Sequence, residues 1–182
     1  MMTLTLIIFL SKGSVWMNVV EFVFLDKQNV NEYLHALFKI LYSNMSPIAP
    51  TNNSYDEDYE VWSSFFISAT QKEKREIVLM FVDDTLAGYF QYYVNIDTNT
   101  LMMEEMQIKK AFQGTGLFSQ FYKWLIKQLP DDIESIEAYV NKKNYKAQFV
   151  LTYLGLIRAG ENENRNSFYY RGKYLNLPNK YN

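Results

Sequence analysis

Apolar positions recur along the chain with two different periods, and each period predicts one kind of element. A period of two predicts strands at about residues 19–25, 76–82, 86–96, 101–108 and 133–140, with a closing hairpin from 156–159 and 167–175. A period of 3.6 predicts helices at about residues 28–43, 55–70, 116–129 and 144–154. The resulting order, β-α-α-β-β-β-α-β-α-β-β, predicts an α/β fold (an α+β mixed sheet) with helices on the faces of the sheet.

The length of 182 residues suits a single domain with a full core. We expect that domain to span residues 17–182, because a strand pattern begins just after Met17. Residues 1–16 are expected to form an N-terminal extension, and the sequence leaves open whether they are an upstream addition or an extra edge strand. Their apolar run, Leu4–Leu10, is much shorter than the ~20 residues of a membrane-spanning helix, and no basic residue precedes it as in a signal peptide.

The composition excludes several classes of function. A formal net charge of −2 and a pI near 5.5 argue against a nucleic-acid-binding protein, which would concentrate basic residues on one face. The absence of cysteine excludes disulfides and thiolate sites, and it favours a cytoplasmic protein over a secreted one. The single histidine, His35, lies beside the apolar stripe of the first helix and is expected on its surface. We therefore expect neither a metal site nor a Ser-His-Asp triad.

A strand passes into a helix through the segment Gln113-Gly114-Thr115-Gly116. Glycine lets the backbone approach a ligand closely, and the free N–H groups of a first helical turn attract phosphate. A dinucleotide fingerprint would need glycine or alanine at position 119, where the chain has Ser119, and the Gly-Lys-Ser/Thr of a nucleotide-binding P-loop is missing. An ordinary helix start would also produce this pattern.

The segment 103–118 resembles the signature of the GNAT superfamily of N-acetyltransferases, which is Gln/Arg-x-x-Gly-x-Gly/Ala after a strand. Gln113 and Gly116 occupy the first two fixed positions, and the strand before them matches the Leu-x-Val-like positions of the family. Phe118 departs from the signature, since the family has a small residue there. A bulky side chain at this position would either narrow the approach of a pyrophosphate or pack beneath the helix.

A second motif supports the same resemblance. In the family, a later strand leads into Asn-x-x-Ala, and the following helix ends in Gly-Phe eleven and twelve residues after the asparagine. This chain has Asn144, Ala147, Gly155 and Leu156 at those offsets. Asn144 also suits a helix N-cap and Gly155 a helix C-cap, so a structural role explains each of them equally well. The joint spacing of the two motifs and the matching strand order favour the resemblance over coincidence.

The resemblance covers about residues 19–175 and is specific over 103–156. It implies a central, mostly antiparallel sheet in which one parallel pair of strands splays apart to bind acyl-CoA, with acetyl-CoA expected. The pantetheine arm would pair with the backbone of Met106, Gln107 and Ile108, and Asn144 would contact its side. The pyrophosphate would meet the backbone amides of Gln113, Gly114, Thr115, Gly116, Leu117 and Phe118. The lysines that flank these elements are Lys109, Lys110, Lys142, Lys143 and Lys146, most of which are expected to be solvated.

The resemblance further implies direct transfer of the acyl group from the thioester to a primary amine of a small molecule or a peptide. Such a reaction needs a base for the attacking amine and often an acid for the leaving thiolate. The candidate bases are Glu104 and Glu105, on the strand that would contact the cofactor. Alternation along a strand is expected to put one on each face, so that at most one of them meets the amine.

The acid is the point at which this chain departs from the family. The usual acid is a tyrosine seven residues after the conserved asparagine, and this chain has Leu151 there. Tyr153 is the nearest candidate substitute, although it faces another side of the helix, and Tyr145 is the other nearby phenol. Together with Phe118, this departure leaves a second hypothesis open, namely a weakly active or inactive GNAT-fold module that binds acyl-CoA or a partner protein.

Four carboxylates open the second helix, and they are Asp56, Glu57, Asp58 and Glu60. The family builds its acceptor site between the first two helices, where these residues would attract a cationic amine. Stabilisation of the helix start is the other explanation of the same residues. We expect no nucleic-acid or membrane partner, and the sequence leaves a homodimer open.

Overall fold

The computed structural model describes residues 18–72 and 75–181. The expected N-terminal extension, residues 1–16, lies outside the described residues. In the described part of the chain, no helix is long and apolar enough to cross a membrane. The order of elements predicted from the sequence is confirmed, with one short helix added at the C-terminal end.

The bounds of the elements follow the predicted ones closely. The strands are β1 (Val20–Phe24), β2 (Arg75–Val82), β3 (Thr85–Asn95), β4 (Thr100–Ile108), β5 (Ser135–Asn141), β6 (Ile157–Glu161) and β7 (Ser167–Lys173). The helices are α1 (Val30–Met45), α2 (Tyr55–Lys72), α3 (Leu117–Leu125), α4 (Tyr145–Tyr153) and the added α5 (Asn176–Tyr181). Short 3₁₀ turns at Lys27–Asn29 and Lys110–Phe112 precede α1 and α3.

Helix α3 is shorter than the apolar pattern predicts. It ends at Leu125 rather than Leu129, because the chain tightens there into i→i+3 turns before Pro130. The backbone N–H of Gln128 donates to the carbonyl of Leu125 at 2.8 Å. Leu129 is still buried, so the apolar position was predicted correctly although its conformation was not.

The seven strands form one sheet in the order β1-β2-β3-β4-β5-β7-β6. Among the described strands, β4 and β5 are the one parallel pair of neighbours. Their pairing runs from Thr100 and Ser135 to Met103 and Ala138 and stops there, although both strands continue. The two strands therefore splay apart beyond Met103, as the resemblance implied.

Two hydrophobic cores lie on opposite faces of the sheet. Helices α1 and α2 cover one face, where the buried residues include Leu37, Phe66, Ile77, Leu79 and Tyr89. Helices α3, α4 and α5 cover the other face, where they include Phe90, Leu101, Phe121, Ile136, Leu151 and Leu177. Alternation along the strands accounts for the division, since Ile77 and Leu79 belong to one core while Val78 and Met80 belong to the other.

Candidate active site

Strand β4 carries a β-bulge at the point where it separates from β5. Its pairing with β3 skips one residue, Glu104, while Glu105 pairs with Gln91. The bulge breaks the alternation of side chains, because Glu104 accepts a hydrogen bond from Gln91 and Glu105 accepts one from Tyr89. Tyr89 and Gln91 are two residues apart on β3 and so share one face of the sheet. The expectation that the two glutamates lie on opposite faces is therefore wrong.

Glu104 is held in a bidentate ion pair. The Arg75 Nε lies 2.5 Å from its Oε2 and the Nη2 donates to its Oε1 at 2.7 Å, while the side-chain amide of Gln91 donates to Oε2 at 2.8 Å. The two charged side chains are only about one-fifth exposed, at 18% and 20%. A partly buried guanidinium in this geometry fixes both the charge and the orientation of the carboxylate. The negative charge of Glu104 is therefore neutralised by the guanidinium of Arg75.

Glu105 is surrounded by neutral hydrogen-bond donors. The hydroxyl of Tyr89 donates to its carboxylate, and the side chains of Gln107 and Trp62 also form hydrogen bonds with it. The carbonyl of the Gln107 side chain in turn accepts from the Asn44 amide at 3.0 Å, which fixes its orientation. Burial raises the pKa of the Glu105 carboxyl to about 7, and the nearby charge of Glu104 adds to this, although the three hydrogen bonds act in the opposite direction.

A carboxyl group with a pKa near 7 can accept a proton at neutral pH and release it again. Burial and a neighbouring carboxylate are usual means by which an enzyme raises the pKa of a carboxylate base in this way. The geometry therefore separates the two candidate bases, with Glu105 suited to proton transfer and Glu104 fixed by its ion pair.

Two shallow, open depressions flank the glutamates on the face covered by α1 and α2. One has a volume of about 270 Å³ and is lined by Tyr93, Met102, Met103, Glu104 and Tyr139. The other has a volume of about 240 Å³ and is lined by Trp62, Phe65, Phe66, Ala69, Arg75, Gln91 and Glu105. Most of these residues were not predicted from the sequence, because they come from α2 and four strands that meet only in the fold. Gln91 was the one available signal, as a polar residue inside an apolar strand.

The loop before α3 has the conformation that a phosphate site requires. Gly114 and Gly116 adopt left-handed φ angles of 79° and 89°, which only glycine adopts without strain. A Cβ added to either glycine would meet nothing within 4 Å, so the space in front of the loop is open. The first turn of α3 carries no acidic residue and no side-chain cap, and the first N–H groups of a helix have no acceptor within the helix. The loop therefore fits the pyrophosphate of acyl-CoA both sterically and in charge.

Two side chains of the same loop form hydrogen bonds with backbone carbonyls nearby in the chain. The amide of Gln113 donates to the carbonyl of Ile108 at 2.9 Å, and the Thr115 hydroxyl donates to the carbonyl of Phe112 at 2.8 Å. These bonds fix the path of the loop while its backbone stays exposed. Phe118 packs against Tyr122, with ring centroids 4.7 Å apart. Of the two alternatives for this bulky side chain, the structure therefore favours packing with the helix.

Hydrogen bonds from helix α1 hold the end of β4, beyond the point where it separates from β5. The side-chain amide of Asn44 donates to the carbonyl of Ile108 at 3.0 Å, in addition to its bond with Gln107. Gly88 on β3 lets this segment approach closely, because a Cβ there would lie 2.4 Å from the Gln107 carbonyl oxygen. In the described part of the chain, the β5-facing edge of the segment 104–108 has no strand partner. This is the edge to which the resemblance assigns the pantetheine arm, along Met106, Gln107 and Ile108.

The residues of the second motif cap α4. The side chain of Asn144 accepts a hydrogen bond from the backbone N–H of Ala147 at 3.1 Å, and its amide lies 3.8 Å from the sulfur of Met45. Gly155 ends the helix with a φ of 85°. Both structural interpretations are therefore correct, and they do not conflict with a contact between Asn144 and a cofactor.

The candidate acids lie away from the two glutamates. Leu151, in place of the usual tyrosine, is only 8% exposed and belongs to the core on the α3 side. Tyr153 stands at the last turn of α4, where its ring contacts the ammonium of Lys180 at 3.2 Å from the ring centroid. Tyr145 is 76% exposed at the start of α4. The structure thus does not bring Tyr153 together with Glu104 and Glu105.

The acidic run is used mainly at the start of α2. Ser54 and Glu57 form a capping box, in which the Ser54 backbone N–H donates to the Glu57 carboxylate at 2.7 Å and the Ser54 hydroxyl accepts from the Glu57 N–H at 3.3 Å. The backbone N–H of Ser54, and its hydroxyl at 2.8 Å, donate to the Glu57 carboxylate and so lower the pKa of Glu57. Asp58 accepts from Thr51 at 2.5 Å and from Asn53 at 3.0 Å. Asp56 also lies in the first turn, so the helix-start explanation accounts for three of the four carboxylates.

Two other sequence features have structural explanations. His35 is exposed on α1 and stacks on Tyr59, with ring centroids 4.1 Å apart, as expected for a surface histidine. Of the five lysines near the loop, Lys142 forms an ion pair with Glu161 at 2.6 Å.

Comparisons with known proteins agree with this geometry. The sequence profile of the acetyltransferase (GNAT) family matches residues 21–156. No curated protein matches the sequence closely enough to count as a relative. Among solved structures, an acetyltransferase from Thermus thermophilus superposes with a TM-score of 0.65 at 16% identity, over 85% of this chain and 96% of that one.

Two further structures are similar over nearly their full length. The PaiA N-acetyltransferase of Thermoplasma acidophilum, in complex with coenzyme A, has a TM-score of 0.62 and 14% identity, over 85% of this chain and 99% of that one. A point variant of the spermidine N-acetyltransferase of Vibrio cholerae has a TM-score of 0.60 and 14% identity, over 88% and 97%. At these identities the likeness shows the fold, while the profile match over most of the chain shows the family. The chain belongs to the acetyltransferase (GNAT) family and is a GNAT N-acetyltransferase.

Proposed function

We propose that the protein transfers an acyl group, expected to be acetyl, from acyl-CoA directly to a primary amine of a small molecule or peptide. The observation that carries this proposal is Glu105, a carboxyl group with a pKa of about 7 at the point where β4 separates from β5. A general base is most effective when its pKa lies near the working pH. The pyrophosphate would bind at Gly116 and the pantetheine arm along Met106–Ile108.

The proposed roles follow from the faces of the sheet. Bound acyl-CoA would supply a thioester carbonyl at the splay, next to the bulge. The acceptor would approach as an ammonium from the depression lined by Trp62 and Glu105, and Glu105 would accept one proton so that the neutral nitrogen can attack. As the C–N bond forms and the C–S bond breaks, the nitrogen would lose its second proton to water, and the departing thiolate would take a proton from water, because Leu151 has no hydroxyl. Glu104 and Arg75 would hold the bulge in place.

The comparisons support the cofactor and leave the acceptor open. One similar structure contains coenzyme A, and another is a spermidine N-acetyltransferase. The first supports acetyl-CoA as donor and the second supports a small amine as acceptor, although the identities of 14% do not transfer a substrate.

Calorimetric titration with acetyl-CoA and a thiol-release assay over a panel of amines would test the proposal. We expect binding of acetyl-CoA, amine-dependent release of CoA, and a loss of about 10²–10⁴-fold in turnover for Glu105→Gln. Glu163→Gln, in an exposed loop, serves as the matched control and should behave as the wild type. Turnover that survives Glu105→Gln unchanged would remove Glu105 from the reaction.

A second candidate function is a GNAT-fold module that binds acyl-CoA or a partner protein without turnover. The burial of Leu151 at the usual position of the acid favours it. Binding of acetyl-CoA without release of CoA across the whole panel would support the module over the enzyme. The absence of any binding would exclude both cofactor-based functions.

A further inference from the structure

A pair of tyrosines extends the site along the sheet beyond the glutamates. Tyr139 on β5 and Tyr169 on β7 are directly paired residues, and their ring centroids lie 5.1 Å apart. Their neighbours Ala138 and Tyr170 are buried in the core on the α3 side, so the two rings lie on the opposite face. Tyr139 is 51% exposed there. The rings thus form an open aromatic surface on the same face as the glutamates.

This aromatic surface adjoins the proposed acceptor site across the ion pair of Glu104 and Arg75, because Glu104 lines one depression and Arg75 lines the other. Tyr139 is the first residue of β5 beyond Ala138, the last residue paired with β4. Its side chain lines one depression together with Glu104 and Tyr93. The other depression adds the indole of Trp62 and the ring of Phe65, which is 74% exposed. An acceptor whose amine reaches Glu105 would therefore rest its body on aromatic rings.

The carboxylates of this face are balanced by the protein's own arginines. Glu104 is paired with Arg75 at 2.5 Å, and Glu137 on β5 is paired with Arg171 on β7 at 3.2 Å. A paired carboxylate offers little to a second cation, because both partners have already exchanged hydration for each other. These two glutamates therefore provide no net negative charge for an acceptor.

Glu105 differs from the other two carboxylates in its surroundings. The groups that act on it are Tyr89, Gln107, Trp62 and Glu104, and none of these is cationic. Among these three glutamates, Glu105 is the one that the described residues do not pair with an arginine, because Arg75, which lines the same depression, is held by Glu104. That arrangement can balance one ammonium group, and a second ammonium within the two depressions would lie against rings and the paired charge of Glu104.

We propose that the acceptor is an amine with a single positive charge on a flat apolar body, which stacks on the Tyr139–Tyr169 surface, and that polyamines are poor acceptors. This inference rests on the proposed N-acyltransferase function and adds the acceptor class to it. Stacking on exposed aromatic rings favours a planar body over a puckered one of similar size. Desolvation of a second, unpaired charge disfavours a diamine relative to the matched monoamine.

Two matched pairs of amines test the acceptor class with acetyl-CoA as donor. Hexylamine and 1,6-diaminohexane differ by one ammonium group, and we expect kcat/KM to be about tenfold higher for hexylamine. Phenylethylamine and cyclohexylethylamine differ in planarity, and we expect a several-fold preference for phenylethylamine. A preference for the diamine would overturn the charge argument, and equal rates for the two ring amines would overturn the stacking argument.

Variants of Tyr139 separate stacking from chemistry. Tyr139→Phe keeps the ring and should leave phenylethylamine turnover within about twofold of wild type, whereas Tyr139→Ala should raise its KM about tenfold. Phe149→Ala, an exposed aromatic position on α4, is the matched control and should change neither parameter. A fall in kcat for Tyr139→Phe with an unchanged KM would mean that the phenol acts chemically, and it would overturn the assignment of a stacking surface.

Different results would exclude the proposed N-acyltransferase function and the proposed acceptor class. If acetyl-CoA binds but no amine is acetylated, the proposed function fails, and the acceptor class is then decided by calorimetric binding of the same four amines to the CoA-loaded protein. Tighter binding of hexylamine and phenylethylamine than of their partners supports the inference, and the reverse order overturns it. If diamines are the better substrates in turnover, the function stands and only this inference is lost.

Discussion

The raised pKa of Glu105 has a consequence for folding that can be measured without any substrate. A carboxyl group whose pKa is higher in the folded chain than in the unfolded chain favours the fold when it is protonated. That stability is present in full below the unfolded pKa of about 4.5 and is lost as the pH rises through the folded value of about 7. The variant Glu105→Gln is similar in shape but cannot ionise, so it should escape this loss.

The size of the effect follows from the shift. The pKa rises from 4.5 to about 7, and one pKa unit corresponds to ~1.4 kcal/mol. Ionised Glu105 therefore costs the folded state roughly 3 kcal/mol above pH 7, and almost nothing near pH 4.5. Relative to wild type, Glu105→Gln should gain up to about 3 kcal/mol in the free energy of unfolding as the pH is raised from 4.5 to 8.

Urea unfolding at several pH values between 4.5 and 8.5 measures this gain. The quantity of interest is the change with pH in the difference between variant and wild type, because a constant offset reports only altered packing or hydrogen bonding. Glu163→Gln, at an exposed loop position, should show a difference that is small and independent of pH across this window. A difference between Glu105→Gln and wild type that stays flat from pH 4.5 to 8.5 would refute the reasoning, since it would mean that the carboxyl titrates alike in both states.

Four further predictions concern catalysis and local structure. In wild-type protein, kcat/KM for an amine should rise as the pH passes about 7 and then level off, because Glu105 must be ionised to accept a proton, and pH–rate profiles should show that Glu105→Gln loses this inflection. Ser54→Ala removes the capping box of α2 and should cost ~1 kcal/mol in urea unfolding. Gly155→Ala should cost more than ~1–2 kcal/mol by the same assay, since it adds a Cβ at a φ of 85° and only 2.7 Å from the Asn176 amide. Gly116→Ala places a Cβ in the open space in front of the loop, so calorimetry should detect weaker acetyl-CoA binding, and its strain at a φ of 89° should cost ~1–2 kcal/mol in urea unfolding.

The order of elements was predictable because each element carries its own period. Strands β2 to β4 alternate and are joined by short polar turns, while α1 and α3 repeat their apolar residues at helical spacing. The helix α5 was not predicted, because its six residues include Pro178 and two asparagines and are typical of a loop. Its buried Leu177 and Tyr181 pack against the α3 side of the sheet, so tertiary contacts decide its conformation.

The conformation of the loop and helix ends that we propose to bind the cofactor was predictable for the same local reason. Gly114 and Gly116 are needed by the backbone of the loop itself, and Asn144 and Gly155 by the two ends of one helix. The surroundings of Glu105 were not predictable, because Trp62 and Tyr89 reach it from separate elements. The bulge at Glu104 was also not predictable. A residue skipped in the strand pairing changes which face the next side chain occupies, and no residue type in the sequence indicates it.

The burial of Leu151 puts the demands of the proposed reaction on the base rather than on the acid. An alkylammonium has a pKa of about 10.4, so at pH 7 nearly every acceptor must lose a proton before its nitrogen can attack. A thiol has a pKa of about 8.5, so a thiolate is a moderate base that can leave into water without an acid from the protein. A phenol at position 151 would therefore assist the easier half of the reaction, whereas Glu105 acts on the harder half. Leucine there, only 8% exposed, is compatible with turnover, and the replacement of Glu105 tests the function more sharply than any change on α4.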